Sequence, residues 1–136
     1  MKLKKNVIVV LVVMLLFLYW MNMKKEHNIY GNVARNEEDI KKGLMWRKDK
    51  LRYNEGMLFP MTYQKNNMWM KNTYIPLDVI FLDPSMIIVG YVEDTVPLST
   101  DNISIDKPSK YVLEMNSGSV RGHNMKIEDK IIFTEL

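Results

Sequence analysis

The sequence predicts a mainly β domain, a small β-sandwich or a partly closed barrel with one or two short helices, preceded by one transmembrane helix. Three observations support this prediction. One long apolar run lies at the start of the chain. Short runs of β-branched and aromatic residues follow it, and Pro, Asn, Asp and Gly separate them. Short strands with frequent turns are typical of sandwiches and barrels.

The apolar run extends from Val7 to Met21 without a charge, a Pro or a Gly, and lysines flank it on both sides. A helix from about Leu3 to Met23 just crosses the roughly 30 Å hydrocarbon layer of a membrane. The small residues that signal cleavage requires do not follow the run. We therefore expect an uncleaved anchor over residues 1–26 with the lipid bilayer as its partner, and a cleaved signal is the alternative.

The charges beside the anchor predict its orientation by a small margin. Three lysines and the terminal amine precede the run, against Lys24, Lys25 and Arg35 after it. Because cytoplasmic flanks carry the excess of basic residues, we expect a single-pass protein with a cytoplasmic N-terminus. The segment 27–136 has the length of one domain, which would lie outside the cytoplasm, or be secreted if the signal were cleaved.

Composition excludes several classes of function for this domain. The chain has 19 basic residues, and removing the five that flank the anchor leaves 14 against 16 acidic residues, or about −2. A weakly acidic domain without a basic stripe is not expected to bind nucleic acid. The chain has no Cys, and His27 and His123 lie too far apart for a metal motif. We expect no metal, no cofactor and no cysteine nucleophile.

The first elements of the domain follow from turn and cap residues. A tether at residues 24–33 runs into a first short strand. Asn36 can cap a helix whose first turn is acidic and whose last turn is basic, and Gly43 can end it in the left-handed conformation. Residues 55–60 predict a turn and a short strand, and residues 66–73 predict a further strand.

The later elements include the clearest strand pair of the chain. Residues 77–82 and 87–92 are two apolar runs, and the turn from Asp83 to Met86 joins them. A long polar loop follows at residues 95–108. The remaining predicted elements are a strand at 111–115, one or two helical turns at 117–123 ended by Asn124, and a last strand at 130–133.

Two carboxylates in apolar strands and a dense polar segment form the candidate site. In an extended chain Trp69 and Lys71 share one face, and Asn72 lies on the other. Asp78 and Glu114 each interrupt an apolar strand, and a buried carboxylate needs a partner. Lys71 is the nearest candidate partner of Asp78. We therefore expect Trp69, Lys71, Asn72, Asp78 and Glu114 to line a cleft.

A purely structural interpretation of each residue stays open. Trp69 can pack in or beside the core, as most aromatic side chains do. Lys71 and Asp78 can form a structural ion pair, and Asn72 can satisfy a turn. Glu114 can point outward from a half-buried strand.

Several motifs together resemble the uncharacterised family called domain of unknown function 192. The longest is WMKNT-x-IPLD at residues 69–78, and the others are Gly-Leu-Met at 43–45, Glu-Gly-Met-Leu-Phe at 55–59 and Tyr-Val-Leu-Glu at 111–114. The resemblance covers about residues 33–133 and implies a compact mainly β domain, often exported, without a settled activity. Relatives often have Gly in the turn after Asp83, where this chain has Pro84-Ser85-Met86, and before Asp129 and near the helix end, where it has Glu128 and Asn124.

Three hypotheses about function remain. The first is a membrane-tethered binding or accessory module for a small polar ligand, an envelope glycan or a partner protein. It rests on the lack of a nucleophile motif, a metal set or a phosphate loop in the sequence. The second is a hydrolytic enzyme that uses Asp78 and Glu114 as a carboxylate pair. The third is a structural domain whose polar residues satisfy one another.

Overall fold

A computed structural model describes residues 2–136, apart from the side chain of Leu3. Over these residues the chain is mainly β with few short helices in the domain, as the sequence predicts. The elements in chain order are α1 (Lys2–Met21), β1 (Glu26–Gly31), α2 (Glu37–Lys42), β2 (Gly56–Gln64), β3 (Leu77–Leu82), β4 (Ile88–Val92), β5 (Ser109–Asn116), α3 (Ser119–Gly122) and β6 (Lys130–Glu135).

The strands form two sheets. The larger sheet has the order β2-β5-β3-β4 with antiparallel neighbours, and the smaller sheet pairs β1 with β6 in parallel. Three isolated pairs link the sheets: Tyr30 with Glu55, Val33 with Leu58, and Ile87 with Lys130. Single pairs do not continue the strand ladder, so the arrangement is not a closed barrel.

The larger sheet buries side chains on both faces. Its first face carries Ile80, Leu113 and Met115, which pack with Ile29 and Ile131 of the smaller sheet. We call this the inner face. Its second face carries Phe59, Val79, Phe81 and Val112, and partly buried residues of α2 and two loops pack against them. We call this the α2 face. Because successive side chains of a strand alternate, neighbouring residues of β3 and β5 belong to different faces.

The apolar helix α1 stands apart from the core. Its residues Lys4–Met21 are long and apolar enough to cross a membrane, and none of this stretch is buried. A signal sequence near an N-terminus has the same properties. Four residues connect α1 to β1, and an extended connection of that length spans at most about 14 Å.

Local patterns in the sequence correctly predict several elements. The Asn36 side chain accepts a hydrogen bond from the Asp39 amide at 2.8 Å, and Gly43 ends α2 with φ of 48°. The strand β3 has the predicted bounds, and β4 begins one residue later than predicted. In the turn between them, the Met86 amide donates to the Asp83 carbonyl at 3.0 Å.

Three turn residues of this chain have positive φ. The φ angles are 64° at Met86, 52° at Asn124 and 79° at Glu128. Gly adopts such angles without steric cost, whereas other residues rarely do. Asn124 ends the α3 region as predicted.

The strand prediction for residues 66–73 is wrong. Within this segment only Met68 pairs with another strand-like residue, Ile103. The Thr73 amide closes a turn on the Met70 carbonyl at 3.1 Å, and Asn72 takes a left-handed φ of 53°. This turn breaks the extended conformation, so the segment crosses the α2 face as a loop instead of joining the sheet.

Candidate functional site

Glu114 is a buried carboxyl group at the centre of the larger sheet. It lies on β5 opposite Met57 of β2 and Val79 of β3, so its side chain belongs to the α2 face. Only 5% of its surface is exposed. Burial raises the pKa of Glu114 to about 8, and no charged or hydrogen-bonding group of the described chain offsets this effect. At neutral pH the side chain is therefore a neutral acid that can both donate and accept hydrogen bonds.

A cavity of about 200 Å³ lies over Glu114. One wall is the C-terminal end of α2 with the residues that follow it, and the opposite wall is formed by residues 67–69. Apolar side chains such as Phe59 line it together with a few polar ones. The complete lining is Ile40, Lys41, Lys42, Gly43, Leu44, Met45, Phe59, Met61, Asn67, Met68, Trp69, Thr73 and Glu114. Mostly apolar walls with a few polar groups are typical of small-molecule sites.

Gly43 lets the chain pass close to the buried carboxyl group. A Cβ atom at this position would lie 3.1 Å from Phe59 Cζ and 3.9 Å from Glu114 Oε2. Its positive φ of 48° also favours Gly. Any other residue here would be strained and would project into the space beside Glu114.

A second, more open groove adjoins the cavity. The cavity and the groove share four lining residues, so the two spaces adjoin at these side chains: Lys41, Lys42, Met45 and Trp69. The further residues that line the groove are Glu38, Trp46, Lys71 and Asn72. The exposed fractions are 58% for Trp46 and 42% for Trp69. Lys71 Nζ lies 5.0 Å from the centre of the Trp69 ring, within the range of a cation–π interaction.

Two residues of the groove adopt strained backbone conformations. Trp46 has φ of 67° and Asn72 has φ of 53°. The Trp46 amide donates a hydrogen bond to the Asn72 carbonyl at 2.8 Å, which joins the two walls of the groove. A bulky residue such as Trp rarely has positive φ, and such residues cluster at binding sites.

Asp78 lies outside this site. It is opposite Met115 on β5, one register position from the pair formed by Val79 and Glu114, so its side chain is on the inner face. Asp78 Oδ1 accepts from the Asp94 amide and Oδ2 accepts from the Val120 amide, both at 2.9 Å. Asp78 therefore anchors the loop after β4 and the helix α3.

The expected pairing of Asp78 with Lys71 is wrong. Two backbone amides hold the Asp78 carboxylate, and the Lys71 ammonium lies over Trp69. The carboxylate pair of Asp78 and Glu114 is also overturned, because the sheet separates the two side chains. The inclusion of Asp78 in the cleft fails for the same reason.

The structure brings the other four candidate residues together. Trp69 and Glu114 line the cavity, and Trp69, Lys71 and Asn72 line the groove. Sequence reasoning missed Gly43, Trp46 and the lysines of α2 as parts of the site. The Gly-Leu-Met motif marked this region, but nothing in the sequence places it over β5. Among the described residues, no group of three or more His, Cys, Asp or Glu could hold a metal ion.

The fold and the site together define a mainly β domain with a helix-covered cavity over a buried carboxyl group. A model of the DUF192 family, described as an uncharacterized ACR, matches residues 20–133. The chain belongs to this family, and the resemblance found in its motifs is confirmed. Comparison with curated proteins gave no match.

Two crystal structures share this fold. One is from Sinorhizobium meliloti 1021 and is described as a candidate transcription regulator; it is 35% identical, with a TM-score of 0.70, over 74% of this chain and 78% of that one. The other is a protein of unknown function from Novosphingobium aromaticivorans DSM 12444; it is 33% identical, with a TM-score of 0.69, over 74% of this chain and 71% of that one.

Proposed function

We propose that the protein is a membrane-tethered, extracytoplasmic binding module whose cavity over Glu114 receives a small polar ligand. The observation that carries this proposal is a buried carboxyl group that faces a cavity without a partner inside the protein. Among the described residues no fully enclosed side-chain oxygen lacks a hydrogen-bond partner, so the Glu114 carboxyl oxygens are accessible from the cavity. A ligand in the cavity can therefore hydrogen-bond to Glu114 directly.

Three further features support a binding role over a purely structural one. Trp46 and Asn72 both have positive φ and line the groove, and a bulky residue such as Trp rarely has positive φ. Gly43 keeps the space beside Glu114 open. By contrast, the polar atoms of Asp78 are fully used within the fold.

A role in transcription is the alternative suggested by the description of the S. meliloti protein. The weakly acidic charge of the domain does not favour contact with DNA. An apolar helix such as α1 also favours a location at a membrane.

Methionine-methyl NMR of the full chain in lipid nanodiscs tests the binding role. Met45, Met61 and Met68 line the cavity, whereas Met125 belongs to the core on the inner face. We expect at least one compound from a panel of monosaccharides, amino acids and polyols to shift the three cavity methyl resonances. The Met125 resonance should stay in place and serves as the internal control.

A Glu114→Leu variant provides the matched control for this measurement. It removes the polar group and keeps a side chain of similar size, so the compound should no longer shift the cavity resonances. Failure of every compound in the panel to move them in the wild-type protein would refute the binding role.

The tether is tested by sequencing the N-terminus of the mature protein from its native membrane fraction. We expect the chain to retain residues 1–26 and to stay with the membrane, because no small-residue cleavage site follows the apolar run. A mature chain that starts beyond Met23 would show that the segment is a cleaved signal.

A further inference from the structure

We propose that the ligand is the terminal acidic sugar of a glycan, with its ring in the cavity over Glu114 and its acidic group at the lysines of the groove. This inference rests on the proposed function and names the class of ligand that the same site takes. It follows from the charge of the site, the polarity of its walls and the residues that the cavity and the groove share.

The charge at the mouth of the cavity favours an anion. Lys41 and Lys42 line both the cavity and the groove, and Lys71 lines the groove. Glu38 is the acidic residue among the groove-lining side chains. The lining thus carries three positive charges and one negative charge, whereas the domain as a whole has a net charge of about −2. This local reversal of sign attracts anionic ligands.

The floor of the cavity favours hydroxyl groups over an ammonium group. A protonated Glu114 offers both a donor and an acceptor, which a sugar hydroxyl can use together. Asn67 and Thr73 add an amide and a hydroxyl to the same lining. An ammonium ligand would need an ionised carboxylate here and would meet repulsion from Lys41 and Lys42 at the entrance.

The walls suit a ring with apolar faces and a polar rim. Phe59 and Met61 form apolar parts of the lining, and Asn67, Thr73 and Glu114 contribute polar groups to it. A sugar ring has C–H faces and a hydroxyl rim, so it matches both kinds of wall. The sheet closes the bottom of the cavity. The cavity would therefore bind the terminal sugar of a glycan rather than a sugar in its middle.

The groove offers a place for the sugars that follow the terminal one in a glycan. Its lining includes Trp69, which it shares with the cavity, and Trp46, and both rings are substantially exposed. Exposed tryptophan rings present large, rigid apolar faces at low entropic cost. A second sugar that follows the terminal one would contact these rings beside Lys71 and Asn72.

Three sugars with the same ring and different charges test the proposal. Glucuronate, glucose and glucosamine are titrated at pH 7 into the full chain in phosphatidylcholine nanodiscs. Binding is followed by tryptophan fluorescence and by the methyl resonances of Met45, Met61 and Met68. We expect glucuronate to bind about tenfold more tightly than glucose, because its carboxylate pairs with the lysines, and glucosamine to bind more weakly than glucose.

The pH dependence and two lysine variants sharpen the test. From about pH 7 to 9, glucuronate binding should weaken as Glu114 ionises, and Glu114→Gln should bind with little pH dependence. The other charged groups that line the cavity are Lys41 and Lys42. Lys42→Gln should weaken binding about fivefold, and the exposed Lys107→Gln should not.

The outcomes separate the ligand class from the binding role. Equal binding of glucose and glucuronate, or tightest binding of glucosamine, overturns the acidic ligand. If amino acids or polyols shift the cavity resonances while no sugar does, the sugar class is wrong and the binding role stands. If no compound shifts them, the binding role itself fails, and this inference fails with it.

Discussion

Replacing Glu114 with Gln is expected to remove most of the pH dependence of folding stability between about pH 4.5 and 8. Burial raises the pKa of this carboxyl from 4.5 to about 8 in the folded protein. The folded state therefore holds a proton that the unfolded state releases, so the stability contributed by protonation is fully present below about pH 4.5. This contribution to the free energy of unfolding falls by about 1.4 kcal/mol for each pH unit as the pH rises toward 8.

The Gln side chain has nearly the same shape and does not titrate, so the variant should become more stable than the wild type by several kcal/mol above pH 8. Urea unfolding of the full chain in detergent micelles, followed by near-ultraviolet circular dichroism at pH 5, 7 and 8.5, measures this difference. The exposed Glu26→Gln variant is the control and should follow the wild type. Parallel pH profiles for Glu114→Gln and the wild type would show that Glu114 is solvated.

Asp78→Ala is expected to destabilise the domain by about 3 kcal/mol or more. The carboxylate is fully buried and accepts hydrogen bonds from the amides of Asp94 and Val120. Its removal leaves both amides without this acceptor and opens a small cavity beside Val120, and each unpaired buried amide costs about 1–3 kcal/mol. Urea unfolding measures the loss in the same system.

Two further variants separate this explanation from an ion pair with Lys71. Asp78→Asn keeps one acceptor oxygen, so it should lower the free energy of unfolding by less than Asp78→Ala does. Lys71→Met should not rescue Asp78→Ala, because Lys71 lies over Trp69, and the two effects should add within about 0.5 kcal/mol. Substantial rescue by Lys71→Met, or a loss below about 1 kcal/mol for Asp78→Ala, would contradict the structural role assigned here.

Local sequence signals predict the elements that depend on neighbouring residues. The cap residues Asn36 and Gly43 mark both ends of α2, and the apolar run at residues 77–82 marks β3. By contrast, the WMKNT segment has strand-like residues but is fixed by contacts with distant ones. The Met70 amide donates to Ser99 and the Leu98 amide donates to Thr73, so the long loop decides its path. The strand propensity of individual residues does not take such long-range contacts into account.

The site depends on strand register, which a sequence pattern does not specify. Asp78 and Glu114 both interrupt apolar strands, and the pattern alone allows them to share a face. The pairing of Asp78 with Met115, one residue beyond Glu114, places them on opposite faces. A shift of one residue would have reversed this result. The roles of Gly43 and Trp46 likewise depend on how α2 packs over β5.

The parallel pairing of β1 with β6 has a consequence for the order in which the domain is made. The strand next to the anchor pairs, from Glu26 with Lys130 to Gly31 with Glu135, with a strand about 104 residues later. On the proposed topology, β1 would emerge from the translocation channel before the other strands of the domain, and its ladder partner β6 would emerge after them. The smaller sheet would then form only at the end of passage. Such long-range closure slows folding, and on this topology it would place completion of the fold after export.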